Sequence, residues 1–163
     1  GMEAMDNYII FRTAWLYGRH GQNFIRTILG KVLSEPENRL QIVSDQYGSP
    51  TWSYRLARQI EHLLATPSRG LYHASAEGYC SWHELAVEMC REMGISCRID
   101  ACATEDYPTP AARPQNSILE NRHLKMEKAN RMVHWREDLK AFLAAHGKDL
   151  AASLRRKAGG ASS

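Results

Sequence analysis

The sequence predicts an α/β protein, and three observations carry that expectation. Short β-prone runs at 8–12, 40–43, 70–74 and 98–101 alternate with segments whose apolar residues recur at helical spacing. In the first run the apolar residues do not alternate, which suits a buried strand covered on both faces, as in a parallel sheet. Breaker-rich stretches separate the runs, and no internal repeat is present.

Taken in order, Gly1-Met2 reads as a protease scar ahead of an initiator methionine. Tyr8-Ile9-Ile10-Phe11-Arg12 is the first strand, and the two glycines within Thr13 to Gly21 mark a loop. Phe24, Ile28 and the Leu29/Val32 pair predict a helix that Glu35-Pro36 ends. Leu40 to Val43 is a second strand, and Asp45 to Thr51 is too rich in breakers for regular structure. Ser53 is placed to cap a helix whose apolar face is Leu56, Ile60, Leu63 and Leu64. Gly70 to Ala74 is a third strand. Ser81 and Glu84 form a capping box before a helix carrying Leu85, Met89 and Met93, which Gly94 ends. Arg98 to Ala101 starts a fourth strand, Tyr107-Pro108-Thr109-Pro110 is rigid and extended, and a last helix begins near Trp135 and carries Leu139, Phe142 and Leu143.

Composition narrows the function classes. The chain has 163 residues, 44% of them apolar, enough for one domain with a real core. Its net charge of +3 is too small and too scattered to indicate nucleic acid. No apolar run approaches the ~20 residues of a membrane span and no secretory h-region opens the chain, so a cytoplasmic location is expected. Cys80, Cys90, Cys97 and Cys102 are then expected as free thiols. The Cys80/His83 pair has no partner pair at zinc spacing, so no metal site is expected. There is no G-x-G-x-x-G turn, no phosphate-binding loop, no Tyr-x-x-x-Lys, no G-x-S-x-G elbow and no H-E-x-x-H. No catalytic residue is assigned.

Four segments point somewhere specific: Arg12-Thr13-Ala14-Trp15-Leu16-Tyr17-Gly18, Gly21-Gln22-Asn23-Phe24, Asp45-Gln46-Tyr47-Gly48-Ser49-Pro50-Thr51, and the run Tyr107-Pro108-Thr109-Pro110-Ala111-Ala112-Arg113-Pro114-Gln115-Asn116-Ser117. With Gly70-Leu71-Tyr72-His73 and Ser81-Trp82-His83-Glu84-Leu85 between them, the chain from roughly Glu3 to Leu143 resembles the back half of the dTDP-4-dehydrorhamnose reductases. Those enzymes are extended short-chain dehydrogenases. The resemblance implies an α/β chain that is the truncated C-terminal portion of an NAD(P)-binding Rossmann-like fold. A substrate-binding domain would span residues 2–150, with a frayed tail over 151–163.

In that family the glycine-rich NADPH turn and the Tyr-x-x-x-Lys pair precede the point where this sequence starts, and Glu3-Ala4-Met5 would follow the lysine. No cofactor is therefore expected in this chain alone, with NADPH or NADH in the intact family enzyme. The resemblance implies reduction of the 4-keto group of dTDP-6-deoxy-L-lyxo-4-hexulose to dTDP-L-rhamnose, for cell-wall polysaccharide. This chain would hold the dTDP-deoxysugar and be inactive by itself.

Seven residues are candidates for that task. Trp15 follows a strand end, where α/β sheets place ligands, and the family's matching Trp lines the substrate pocket; a core Trp is the alternative. Tyr17 and Gly18 shape the same loop. Asn23 precedes a helix and would meet a phosphate, cap the helix, or do both, while Phe24 reads as core. Gln46 and Thr51 offer neutral donors and acceptors for base or sugar edges, or else pack the layers together. Arg113, between Pro110 and Pro114, is a preorganised fork for a diphosphate, with a surface salt bridge as the alternative. Asn116 and Ser117 would add a hydrogen bond or pair in a short strand.

Two rivals stay open: a non-catalytic nucleotide-sugar-binding or regulatory module, and a remnant that binds nothing. A separate Rossmann half is one partner to expect. A homodimer through the exposed edge of the first strand is another.

Overall fold

A computed structural model describes residues 7–34, 39–106 and 111–160. The Glu35-Pro36 stop and the Tyr107 to Pro110 segment lie outside them. The chain is a mixed α/β structure, but its strands form four two-stranded pairs among the described residues rather than one sheet. β1 (Ile9–Arg12) runs parallel to β6 (Gly70–His73), with Ile9 opposite Gly70, and β3 (Leu40–Val43) runs parallel to β8 (Ile99–Cys102), with Leu40 opposite Ile99. The Thr13–Gly21 stretch, expected as a loop, holds β2 (Leu16–Tyr17), parallel to β5 (Thr51–Trp52). The breaker-rich Asp45–Thr51 stretch likewise holds β4 (Tyr47–Gly48), antiparallel to β7 (Cys80–Ser81). Two-residue strands carry too little period for a sequence to show. β1 is half-buried rather than buried, because it pairs on one side only among the described residues.

Three helices build the larger core. α1 (Phe24–Ser34) and α3 (Trp82–Met93) both pack on α5 (Trp135–Gly160), burying Ile25, Leu29, Leu85, Met89, Leu139 and Phe142. The capping box is present as expected: Ser81 Oγ accepts from Glu84 N at 3.1 Å, and Ser81 N donates to the Glu84 carboxylate at 2.7 Å. Gly94 ends α3 in the left-handed region at φ 64°, where a side chain would be strained. α5 continues far beyond the expected Leu143. Leu150 and Ala151 are buried and Leu154 packs on the same core, so the tail expected to fray from 151 is helix as far as Gly160.

A smaller core joins α2 (Ser53–Leu64), β6 and α4 (Arg122–Met126) through Leu63, Tyr72, Ala74 and Leu124. Two expectations for α2 are corrected. Ser53 is its first helical residue, and the capping position falls on Trp52 with no side-chain bond. Leu64 is 70% exposed, while Gln59 is fully buried. Gln59 donates to Ala129 O at 3.0 Å and accepts from Arg131 N at 2.6 Å, so its amide costs little there. Between the cores, Glu77 accepts from Asn121, Asn130 and Lys125; burial would raise its carboxyl, but these donors hold it below its usual range. The four cysteines are free, the described residues hold no cluster fit for a metal ion, and no described helix is long and apolar enough to cross a membrane.

Candidate functional site

The segment Asp45 to Thr51 ties together parts of the chain far apart in sequence. Asp45 accepts from Thr104 N at 3.0 Å and from Thr104 Oγ1, and these bonds hold its carboxyl below its usual range. Gln46 donates to Thr104 Oγ1 at 3.2 Å and accepts from Trp82 Nε1 at 3.3 Å. Ser49 Oγ donates to Gly78 O at 2.6 Å, and Thr51 Oγ1 donates to Ser49 O and accepts from Ala76 N. Gly48 lies directly under Trp15: a Cβ there would stand 2.3 Å from the indole. The glycine is needed for that close approach.

Trp15 has φ 52°, a left-handed conformation that costs a residue other than glycine on the order of 1–3 kcal/mol. Three contacts hold it there. Its carbonyl accepts from Thr51 N at 3.0 Å, its Nε1 donates to Ser117 Oγ at 2.9 Å, and its ring stacks on Trp82 with centroids 3.5 Å apart and planes 6° from parallel. Phe24 is tilted against Trp82, with centroids 4.5 Å apart. The aromatic group therefore draws on the end of β1, the start of α1 and the start of α3.

Two adjoining clefts, of about 180 and 260 Å³, open beside this group and share Gln46, Trp82 and Arg113. One runs along α1 past Thr27 and Lys31 to Gln41 and Val43 on β3; the other is closed by Trp15, Pro114 and Ser117. Arg113 is exposed at their junction and forms no ion pair or hydrogen bond among the described residues, so the salt-bridge alternative finds no partner there. The segment after it is fastened to β4: Tyr47 N donates to Gln115 O at 2.8 Å and Ser117 N to Tyr47 O at 2.9 Å. An apolar aromatic floor with the Arg113 guanidinium and Lys31 at its rim suits a ligand that joins a flat ring to phosphate.

Of the seven candidates, the structure brings Trp15, Gln46 and Arg113 together and leaves four elsewhere. Tyr17 is 4% exposed in the larger core, edge-on to Phe142 at 5.1 Å; burial, with Asp138 and Cys80 nearby, pushes its hydroxyl well up. Asn23 is the cap of α1, accepting from Arg26 N at 3.2 Å and donating to Gly18 O at 3.0 Å. Thr51 is fully buried with its hydroxyl committed on both sides. Asn116 turns back to accept from Ile118 N at 2.9 Å, beside the cleft rather than in it. Phe24, read as core, is half-buried and lines the cleft.

Trp82 and Lys31 were not singled out by the sequence. The spacing Phe24, Thr27, Ile28, Lys31 is one helical face and could have exposed the second; nothing local marks Trp82, whose role follows from Trp15 arriving 67 residues earlier.

Comparison with known proteins shows what the chain is related to. The profile of the RmlD substrate binding domain matches residues 2–147. The spore coat polysaccharide biosynthesis protein SpsK of Bacillus subtilis is 41% identical over 134 residues, covering 82% of this chain and 46% of that protein. A dTDP-4-dehydrorhamnose reductase of Burkholderia thailandensis is 35% identical over 152 residues, covering 82% and 50%. The crystal structure of the Bacillus anthracis dTDP-4-dehydrorhamnose reductase in complex with NADP superposes with a TM-score of 0.81 at 34% identity, over 88% of this chain and 50% of that one. The chain spans about half the length of these relatives, and it belongs to the RmlD substrate binding domain family.

Proposed function

We propose that this chain holds the nucleotide sugar for a dTDP-4-dehydrorhamnose reductase. In that reaction the 4-keto group of dTDP-6-deoxy-L-lyxo-4-hexulose is reduced to give dTDP-L-rhamnose, with hydride from NADPH or NADH. The turn after β1 is Thr13-Ala14-Trp15 and carries no glycine, and the chain has no Tyr-x-x-x-Lys. That turn therefore does not fit a dinucleotide pyrophosphate, and the task left to the cleft residues is to bind and orient the substrate. Arg113, with Lys31 across the cleft, takes the diphosphate; Phe24 and Trp82 line the apolar wall, and Trp15 presents an aromatic edge to the sugar.

The observation that carries this reading is Arg113: a guanidinium unpaired among the described residues, beside an aromatic floor and fixed by the strand-like fastening of residues 115–117 to β4. Calorimetric titration with dTDP and dTDP-rhamnose tests it. Arg113→Ala removes a charge-assisted contact and should cost about 1.5–3 kcal/mol, roughly ten- to a hundredfold in affinity. Equal affinity of the variant and the unaltered chain would refute the role of Arg113. Absence of binding by the unaltered chain would leave the fold without a working site, as in a remnant.

Partners belong to the same proposal. Among the described residues β1 pairs on one side only, which supports pairing with a further strand, supplied by a second copy of the chain or by a separate Rossmann half.

A further inference from the structure

The turn Gly18-Arg19-His20-Gly21-Gln22-Asn23 is fixed by α1. Asn23 Nδ2 donates to Gly18 O at 3.0 Å, and Arg26 Nη1 donates to Arg19 O at 3.1 Å. Gly21, at φ 76°, lets the chain reverse there. With its backbone tied inward, the turn presents Arg19 and His20 outward, across from the far end of α5. The space between is a groove of about 350 Å³, into which Arg26 from α1 and Arg156 and Ser153 from α5 also face. Asp149 is the single acid in its lining. Neither the Arg19 nor the Arg156 guanidinium has a hydrogen bond or ion pair among the described residues.

Like charges that outnumber the one acid beside them repel one another, and an anion placed among them gains from all of them at once. A second groove of about 520 Å³ adjoins the first and shares Arg19 and His20. Its walls include Trp52, Tyr54 and His146, with no acid in its lining; Trp52 and Tyr54 lie 5.0 Å apart. Neither groove shares a lining residue with the Trp15–Arg113 clefts.

We propose that these joined grooves are a second binding site, for a nucleoside polyphosphate. The phosphates lie among Arg19, Arg26 and Arg156, and the base rests on Tyr54 and the edge of Trp52. This site does not depend on the nucleotide-sugar reading.

The test is calorimetric titration of the full chain at low ionic strength with two probes, inorganic pyrophosphate and ATP. The first represents the phosphate chemistry alone and the second adds a base. Both are expected to bind, and Arg19→Ala/Arg156→Ala should weaken both by roughly ten- to a hundredfold. Tyr54→Ala should weaken ATP alone. All three side chains are exposed, and circular dichroism checks that the variants stay folded. Pyrophosphate binding that remains in Arg113→Ala should still be lost when Arg19→Ala/Arg156→Ala is added, which separates this site from the other. The proposal is overturned if the unaltered chain binds neither probe. Loss of pyrophosphate binding in Arg113→Ala but not in the double variant would also overturn it, as would an ATP affinity indifferent to Tyr54→Ala.

Discussion

Gly48→Ala tests the coupling between the Asp45–Thr51 segment and the aromatic floor. The added methyl carbon would stand 2.3 Å from Trp15 Cε2 and 2.5 Å from Nε1, whereas carbon atoms in contact prefer about 3.5–4.0 Å. The indole must move by more than about 1 Å, and it has no free direction. Its ring is sandwiched against Trp82 at 3.5 Å, and its Nε1 is tied to Ser117 at 2.9 Å. Losing the stack costs about 0.5–1.5 kcal/mol and losing the hydrogen bond a similar amount, so a loss of about 1–3 kcal/mol is expected. Urea denaturation reads that loss as a lower midpoint at unchanged slope. Circular dichroism in the aromatic region reads the fate of the Trp15–Trp82 pair, whose coupled transitions should weaken. Binding of dTDP should weaken in parallel. A variant with unchanged stability and an unchanged aromatic signal would refute the argument that this glycine exists to admit the indole.

Three further outcomes are expected. Arg55 holds the fully buried Asp138 through bonds of 3.0 and 3.1 Å; Arg55→Ala strands that carboxylate and should cost about 3 kcal/mol, the low end for a broken buried pair because Arg55 is itself 30% exposed. Burial outweighs Arg55 and pushes the Asp138 carboxyl above 3.8, so its contribution to stability is fully present below that value and is lost as pH rises through the folded value. The variant's deficit should therefore be larger at pH 7.5 than near pH 4, and urea midpoints that change equally at both would sink this. Burial, with Cys97 beside it, pushes the Cys90 thiol up to about 11, and burial raises Cys80 further still, so alkylation of the folded chain near neutral pH should be faster at Cys97 and Cys102. Mass spectrometry that finds Cys80 modified first would contradict the packing described. Finally, pairing through the β1 edge predicts a mass in sedimentation that rises with concentration toward a dimer; a constant monomer mass would argue against it.

What the sequence discloses depends on how local the physics is. The capping box at Ser81 and Glu84, the left-handed stop at Gly94 and the strand Leu40–Val43 are decided by neighbours within a few residues, and each appears where expected. Arg113, picked out in the sequence between two prolines, lines both clefts. The misses come from tertiary pairing. Leu64 looked like core because it continued an apolar stripe, but the buried place went to Gln59, whose partners lie near residue 130. Thr51 and Tyr17 have chemistry fit for a ligand, yet each sits in the interior, one tying two loops together and the other filling the space beside Phe142. Asn23 had two compatible roles, and its observed bonds are those of the cap. The role of Trp82 depends on a ring that arrives from the end of β1, which no local pattern could announce.

The separation into two cores sets an order of opening. The smaller one rests on Leu63, Tyr72, Ala74, Leu124, Ala129 and Met132, far less buried apolar material than α1, α3 and α5 enclose. Amide protons of β6 and α4 should accordingly exchange with solvent at a lower free energy than those of the three packed helices. The Trp15–Arg113 clefts are built largely from α1, α3, β3 and the segments fastened to them. A local excursion of the lesser layer would leave that floor standing, so ligand and solvent report on different parts of the same chain.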